Sequence, residues 1–275
     1  GLYQGAGKTV CVPGLNCYSC PAASGACPIG AFQAVVGSSK FSFSYYITGF
    51  LILLGVLLGR FICGFLCPFG WLQELLHKIP TKKLSTKKLK PLRYLKYAIL
   101  LVMVFLLPAF LVNDVGMGDP FFCKYLCPQG VLEGAIPLSL ANSGIRAALG
   151  SLFTWKLGIL LVVIVLSVLF YRPFCKWICP LGAFYALLNK VSLVQMKVDQ
   201  SKCISCGKCA KACKMDVDVT KSPNHTECIR CGMCVRACPT NAVRFRCGFG
   251  TGKQGTVLPE KTNKQMNDIV KEKKS

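Results

Sequence analysis

Eight cysteines near the end of the chain are spaced as Cys203-x2-Cys206-x2-Cys209-x3-Cys213 and Cys228-x2-Cys231-x2-Cys234-x3-Cys238-Pro239. Three thiolates two residues apart with a fourth three residues on is the spacing that holds cubane iron–sulfur clusters, the fourth cysteine of each run ligating the other run's cluster. One ligand set is therefore Cys203, Cys206, Cys209 and Cys238, and the other is Cys228, Cys231, Cys234 and Cys213. Lys214 stands where a proline usually follows the fourth cysteine, which leaves the ligands intact. Zinc sites also use C-x-x-C pairs, but they do not call for three cysteines at this spacing with a fourth behind them, twice over.

A second cysteine pattern precedes the first. Cys63-x3-Cys67-Pro68-x-Gly70, Cys123-x3-Cys127-Pro128-x-Gly130 and Cys175-x3-Cys179-Pro180-x-Gly182 are copies of one motif, and Cys20-x6-Cys27-Pro28-x-Gly30 is a copy with a wider gap. Proline favours the first position of a helix, so Cys27, Cys67, Cys127 and Cys179 are expected as N-caps. A thiolate there meets the positive end of the helix dipole, which suits a bound anionic cluster. Each copy supplies two thiolates and a cubane needs four, so the copies should work in pairs. The expected pairs are Cys63 and Cys67 with Cys175 and Cys179, and Cys20 and Cys27 with Cys123 and Cys127. Cys11 and Cys17 are then surplus at the second site, available for a disulfide or for a further cluster, and Cys17 stays among the candidate metal ligands. Cys247 reads as a free thiol. The two histidines, His77 and His225, lie outside the apolar runs, which argues against a b-type haem ligated by this chain.

The elements that must carry these thiolates read as membrane helices. Of 275 residues 53% are apolar and 19 are cysteine, which fits neither an ordinary soluble domain nor a short disulfide framework. Phe43 to Ile62, Tyr94 to Val112 and Trp155 to Tyr171 are apolar runs near spanning length, with Arg60 placed to snorkel and Pro108 placed to kink the second run. Phe69, Leu72, Leu75, Leu76 and Ile79 recur at helical spacing as an amphipathic surface helix with His77 on its polar side. Lys78 through Lys96 is basic without an acidic residue, so that loop is expected in the cytoplasm, which puts the first and third motifs at the outer boundary and the second and fourth at the inner one. The net charge of +22 is concentrated beside apolar segments and in the tail, which points to anionic lipid rather than nucleic acid. The expected organisation is an external cysteine-rich segment 1–42, a transmembrane helical domain 43–191, an α+β two-cluster ferredoxin domain 192–247 and a disordered basic tail 248–275. Gly1 stands where a start methionine would, which suggests a further element upstream.

With its Asn16-Cys17-Tyr18-Ser19-Cys20-Pro21 segment, its Cys-x3-Cys-Pro copies after apolar helices and its terminal two-cluster run, the chain resembles the membrane-bound polyferredoxins of the NapH and NosR type over residues 11 to 240. The resemblance implies electron transfer between a cytoplasmic donor or the quinone pool and an external redox partner, a reductase subunit or a flavin-bearing domain that this chain lacks. Two alternatives remain open at this level: a quinol dehydrogenase subunit with its own quinol site, and a redox-sensing maturation or regulatory membrane protein.

Overall fold

The computed structural model describes residues 12–15, 17, 27–37, 45–81, 83–84, 86–111, 118–141, 143–144 and 150–248. Cys11, Cys20 and the tail beyond residue 248 lie outside them. The chain forms two compact units, residues 1–51 with 66–183 and residues 52–65 with 184–275.

The first unit is helical, and two of its helices are long and apolar enough to cross a membrane, Leu89–Phe110 with 22 residues and Ser151–Leu169 with 19. At 1.5 Å per residue each approaches the ~30 Å of a hydrocarbon core. Ser151–Leu169 turns Trp155, Leu161, Val162 and Val165 outward and buries little beyond Leu160, Val163 and Ser167. That apolar outer surface suits lipid. Leu89–Phe110 changes winding along its length, with a π-helical stretch Leu100–Leu106 ahead of Leu107–Phe110, where Pro108 sits in the first turn.

The expected first spanning run is interrupted. The helix Tyr45–Leu58 has 14 residues and stops at Gly59, whose φ of +55° is left-handed, before a separate helix Phe61–Phe65. Three spanning helices were expected, and among the described residues two meet the length. Arg60 does not snorkel. It is fully buried.

Three helices follow Cys-Pro steps as expected. Pro28–Val36 and Pro68–His77 have Cys27 and Cys67 as N-caps in extended conformation, and Pro180–Leu188 starts on its proline. The third copy departs: Cys127 ends the turn Phe122–Leu126, and the next helical turn begins after Pro128. His77, expected on a solvated face, packs its ring against Tyr171 at 5.4 Å.

In the second unit the strands Val194–Val198 and Val243–Cys247 pair antiparallel, Val194 opposite Cys247 and Val198 opposite Val243. Met196, Val219, Val235, Val243 and Phe245 form a small core against which Cys228, Cys234 and Cys238 pack. The duplicated cysteine runs are duplicated in backbone. Ser205 and Arg230 both have φ +53°, Gly207 and Gly232 have +68° and +76°, and Asp216 and Asn241 have +54° and +52°.

Candidate metal centre

Within the second unit, the first ferredoxin-type ligand set surrounds a small open pocket whose lining includes Cys203, Cys206, Cys209 and Cys238. The N–H of Ala242 donates to the Cys238 sulfur at 3.3 Å. The other set draws together as well: burial first, then the neighbouring sulfurs of Cys228, Cys231 and Cys213, push the Cys234 thiol well up from its ordinary value. Left-handed residues at matching places in both runs turn successive N–H groups into concavities of the kind that bind anions and iron–sulfur clusters.

The first unit gathers Cys17 with three of the four thiols expected at the outer site. The Cys123 thiol is raised chiefly by burial, then by Cys127, Cys27 and Cys17, while Lys156 pulls it back. Cys127 is pushed up to about 12, again by burial first and then by Cys27, with Cys17 contributing. Cys17, Cys27, Cys123 and Cys127 therefore face one another. Cys20, expected in this set, lies outside the described residues. The Cys17 sulfur lies beside Gly130, 3.4 Å from where an added Cβ would stand, which is ordinary contact. The Cys17 backbone N–H donates to Glu133 Oε2 at 3.0 Å, and Gln129 Nε2 donates to Glu133 Oε1. Buried Gln33 accepts from the Cys123 thiol at 3.1 Å and donates to the Met103 carbonyl at 2.9 Å. Lys156 Nζ donates to the Cys123 carbonyl at 3.0 Å.

Cys67, Cys175 and Cys179 belong to the first unit, whereas Cys63 belongs to the second. The helix Pro68–His77 reads the fourth motif through Gln73, which accepts from the Phe174 N–H at 3.2 Å and donates to the Cys175 sulfur at 3.2 Å. Glu74 pairs with buried Arg172 at 2.5 Å. The Gly182 N–H donates to the Cys179 sulfur at 3.4 Å.

An added Cβ on Gly14 would meet the Cys67 Cα at 3.1 Å, and three residues on, Cys17 lies against Gly130. Three residues reach about 11 Å at most. The Cys17 sulfur and Cys67 therefore stand closer together than the ~30 Å thickness of a hydrocarbon core.

Among the described residues no three His, Cys, Asp or Glu side chains converge on a single metal ion. A zinc ion needs its ligands within ~2.3 Å of one point, whereas a cubane spreads four thiolates over four irons. Buried sulfurs that raise one another's pKa, with N–H groups aimed at them, are suited to such a cluster.

The comparisons with known proteins agree. A 4Fe-4S binding domain family matches residues 25–45, 42–87, 96–136 and 152–199, and a second 4Fe-4S binding domain family matches 196–217 and 222–244. The chain belongs to the 4Fe-4S-binding polyferredoxin family of the NapH and NosR type. Among its relatives are an uncharacterized protein of Methanocaldococcus jannaschii, 29% identical over 62% of this chain and 65% of its own length, and the putative electron transport protein YccM of Escherichia coli, 28% identical over 62% and 45%. The ferredoxin-type protein NapH of Haemophilus influenzae is 27% identical over 40% of this chain and 52% of its own. The chain spans about half to two-thirds of the length of such curated relatives. No solved structure matches it. [4Fe-4S] clusters are the cofactor this polyferredoxin family binds, and its matched regions contain Cys27, Cys63, Cys67, Cys123, Cys127, Cys175, Cys179 and the eight ferredoxin-type cysteines, with Cys17 outside them.

Several residues around these sites carry no sequence pattern of their own. Gln33, Gln73, Glu133 and Lys156 contact the thiol sites from helices whose apolar or amphipathic pattern does not single them out. The available signal was a polar side chain inside an apolar run, which is costly to bury unless it is bonded.

Proposed function

We propose that this polyferredoxin carries electrons through four [4Fe-4S] clusters between a donor on the ferredoxin side and an external redox partner. The observation that carries the reading is the gathering of Cys17, Cys27, Cys123 and Cys127 in a part of the chain with no ferredoxin spacing. Bound there and in the ferredoxin runs, clusters supply one-electron chemistry. The chain's own residues hold their charge: buried N–H groups and Lys156 favour thiolates that burial disfavours. The remaining set, Cys63, Cys67, Cys175 and Cys179, rests on the motif spacing.

Leu89–Phe110 and Ser151–Leu169 support a membrane location, and the basic run Lys78–Lys96 supports a cytoplasmic ferredoxin part. The partners this reading calls for are membrane lipid, a cytoplasmic donor or quinone, and an external reductase or flavin-bearing subunit.

The test is electron transfer across sealed vesicles. Full-length protein is reconstituted with ferricyanide inside and reduced from outside with a membrane-impermeant reductant. Cys127→Ser should stop internal ferricyanide reduction while leaving both ferredoxin-type clusters visible by EPR. Unchanged transfer in that variant would remove the first-unit site from the path.

A further inference from the structure

Arg230 and Ser205 occupy the same place in the duplicated run, between the first and second cysteines, and share a φ of +53°. Their surroundings differ in every other respect. Ser205 is exposed, whereas Arg230 is 1% exposed. The Arg230 guanidinium donates through Nη2 to the Asn189 carbonyl at 2.6 Å and to Ser192 Oγ at 2.5 Å, and through Nη1 to the Leu58 carbonyl at 2.8 Å. Room for it exists because Gly59 has no side chain, an added Cβ there standing 2.6 Å from Nη1.

All three acceptors are neutral, and Arg230 Nε, buried, has no hydrogen-bond partner among the described residues. Glu227, the acidic residue nearest in the chain, is taken by Arg60 at 2.8 Å. The charge on Arg230 is thus not cancelled by a carboxylate. It lies beside the ligand set: Arg230 stands between Cys228 and Cys231 in the chain, and Asn189, whose carbonyl takes Nη2, donates its side-chain amide to the Cys228 carbonyl at 3.1 Å. At the sister site the equivalent residue, Ser205, is exposed and uncharged.

Cluster potentials follow net charge, hydrogen bonds to sulfur and exposure. Reduction adds one electron to a centre that is already negative, so a fixed positive charge beside it favours the reduced form, and more strongly where water is excluded. We propose that Arg230 raises the reduction potential of the cluster held by Cys213, Cys228, Cys231 and Cys234, and thereby makes the two ferredoxin-type clusters electrically unequal. The inference rests on the reading that these cysteines hold a cluster.

The experiment is an anaerobic, EPR-monitored titration of the full chain in detergent with dithionite as reductant. In Arg230→Gln one cluster should show at least a tenfold lower ratio of reduced to oxidised at a fixed ambient potential, a shift of about 59 mV for a one-electron couple. The other ferredoxin-type cluster should not move, and Arg230→Lys should restore the parent value. Ser192→Asp sets a carboxylate against the guanidinium without removing it. It should lower the same cluster, so the proposal is tested even where Arg230→Gln loses iron. Parent potentials in both Arg230→Gln and Ser192→Asp, with full iron content, would overturn the tuning role. A parent protein that holds no iron at this site would instead overturn the cluster reading itself.

Discussion

Arg60 and Glu227, 167 residues apart in the chain, meet as a buried ion pair with Nη1 and Oε2 at 2.8 Å and side chains 0% and 3% exposed. Arg60 also donates to the Thr226 carbonyl, and its N–H donates to the Asn189 side chain. A buried charge that loses its partner costs about 3–5 kcal/mol. Glu227→Gln should therefore lower the melting temperature of the second unit markedly, as read by loss of its cluster absorbance on heating. Replacing Arg60 and Glu227 together by Met and Leu should cost much less. Equal losses in both variants would show that the pair contributes through something other than its charge.

Cys17 rather than Cys20 is expected to complete the first-unit site. Cys17→Ser should lower iron content by about four atoms per chain, the content of one cubane. Cys20→Ser should leave it unchanged. Anaerobic iron and sulfide assays on the purified variants decide between them, and the reverse outcome would return the site to Cys20.

Gly59 is held at φ +55°, where an added Cβ would stand 2.6 Å from Arg230 Nη1 and 2.7 Å from Asn189 Oδ1. Gly59→Ala combines backbone strain with collision, and its cost should exceed the ~1 kcal/mol typical of alanine in a left-handed position. A melting temperature equal to the parent's would show that Arg230 and Asn189 can retreat.

Iron removal should unfold the cysteine-rich part of the second unit. Its apolar core is a handful of side chains around a two-stranded sheet, too few to hold the segment alone. Chelation of reduced protein should expose residues 199–242 to limited proteolysis while Ser151–Leu169 stays protected. Retained protection of 199–242 would mean the fold does not depend on its metal.

The spacing of the ferredoxin cysteines is legible because it is local, with each thiolate three or four residues from the next. The choice between Cys17 and Cys20 is not, since the two are three residues apart in a turn-rich segment. The Cys17 sulfur lies beside Gly130, far along the chain, and spacing cannot report that. The same limit hid the break at Gly59. Residues 43 to 62 read as one apolar run with a terminal arginine, and only the distant Asn189, Glu227 and Arg230 show why the helix stops and the arginine turns inward. Counting alternate loops, likewise, takes no account of a short segment lying against both Cys67 and Gly130.

Residues 52–65 belong with 184–275, yet 66–183 are synthesised in between. At roughly 5–20 residues per second, Arg60 waits on the order of ten seconds for Glu227 to leave the ribosome. During that interval Arg60 has no carboxylate to meet and Gly59 has no guanidinium to make room for, so this stretch stays outside any packed interior. A nascent chain halted before residue 227 therefore carries a solvated cation at the end of an apolar helix. That feature distinguishes an unfinished chain from a finished one, and it gives a quality-control protease a place to begin.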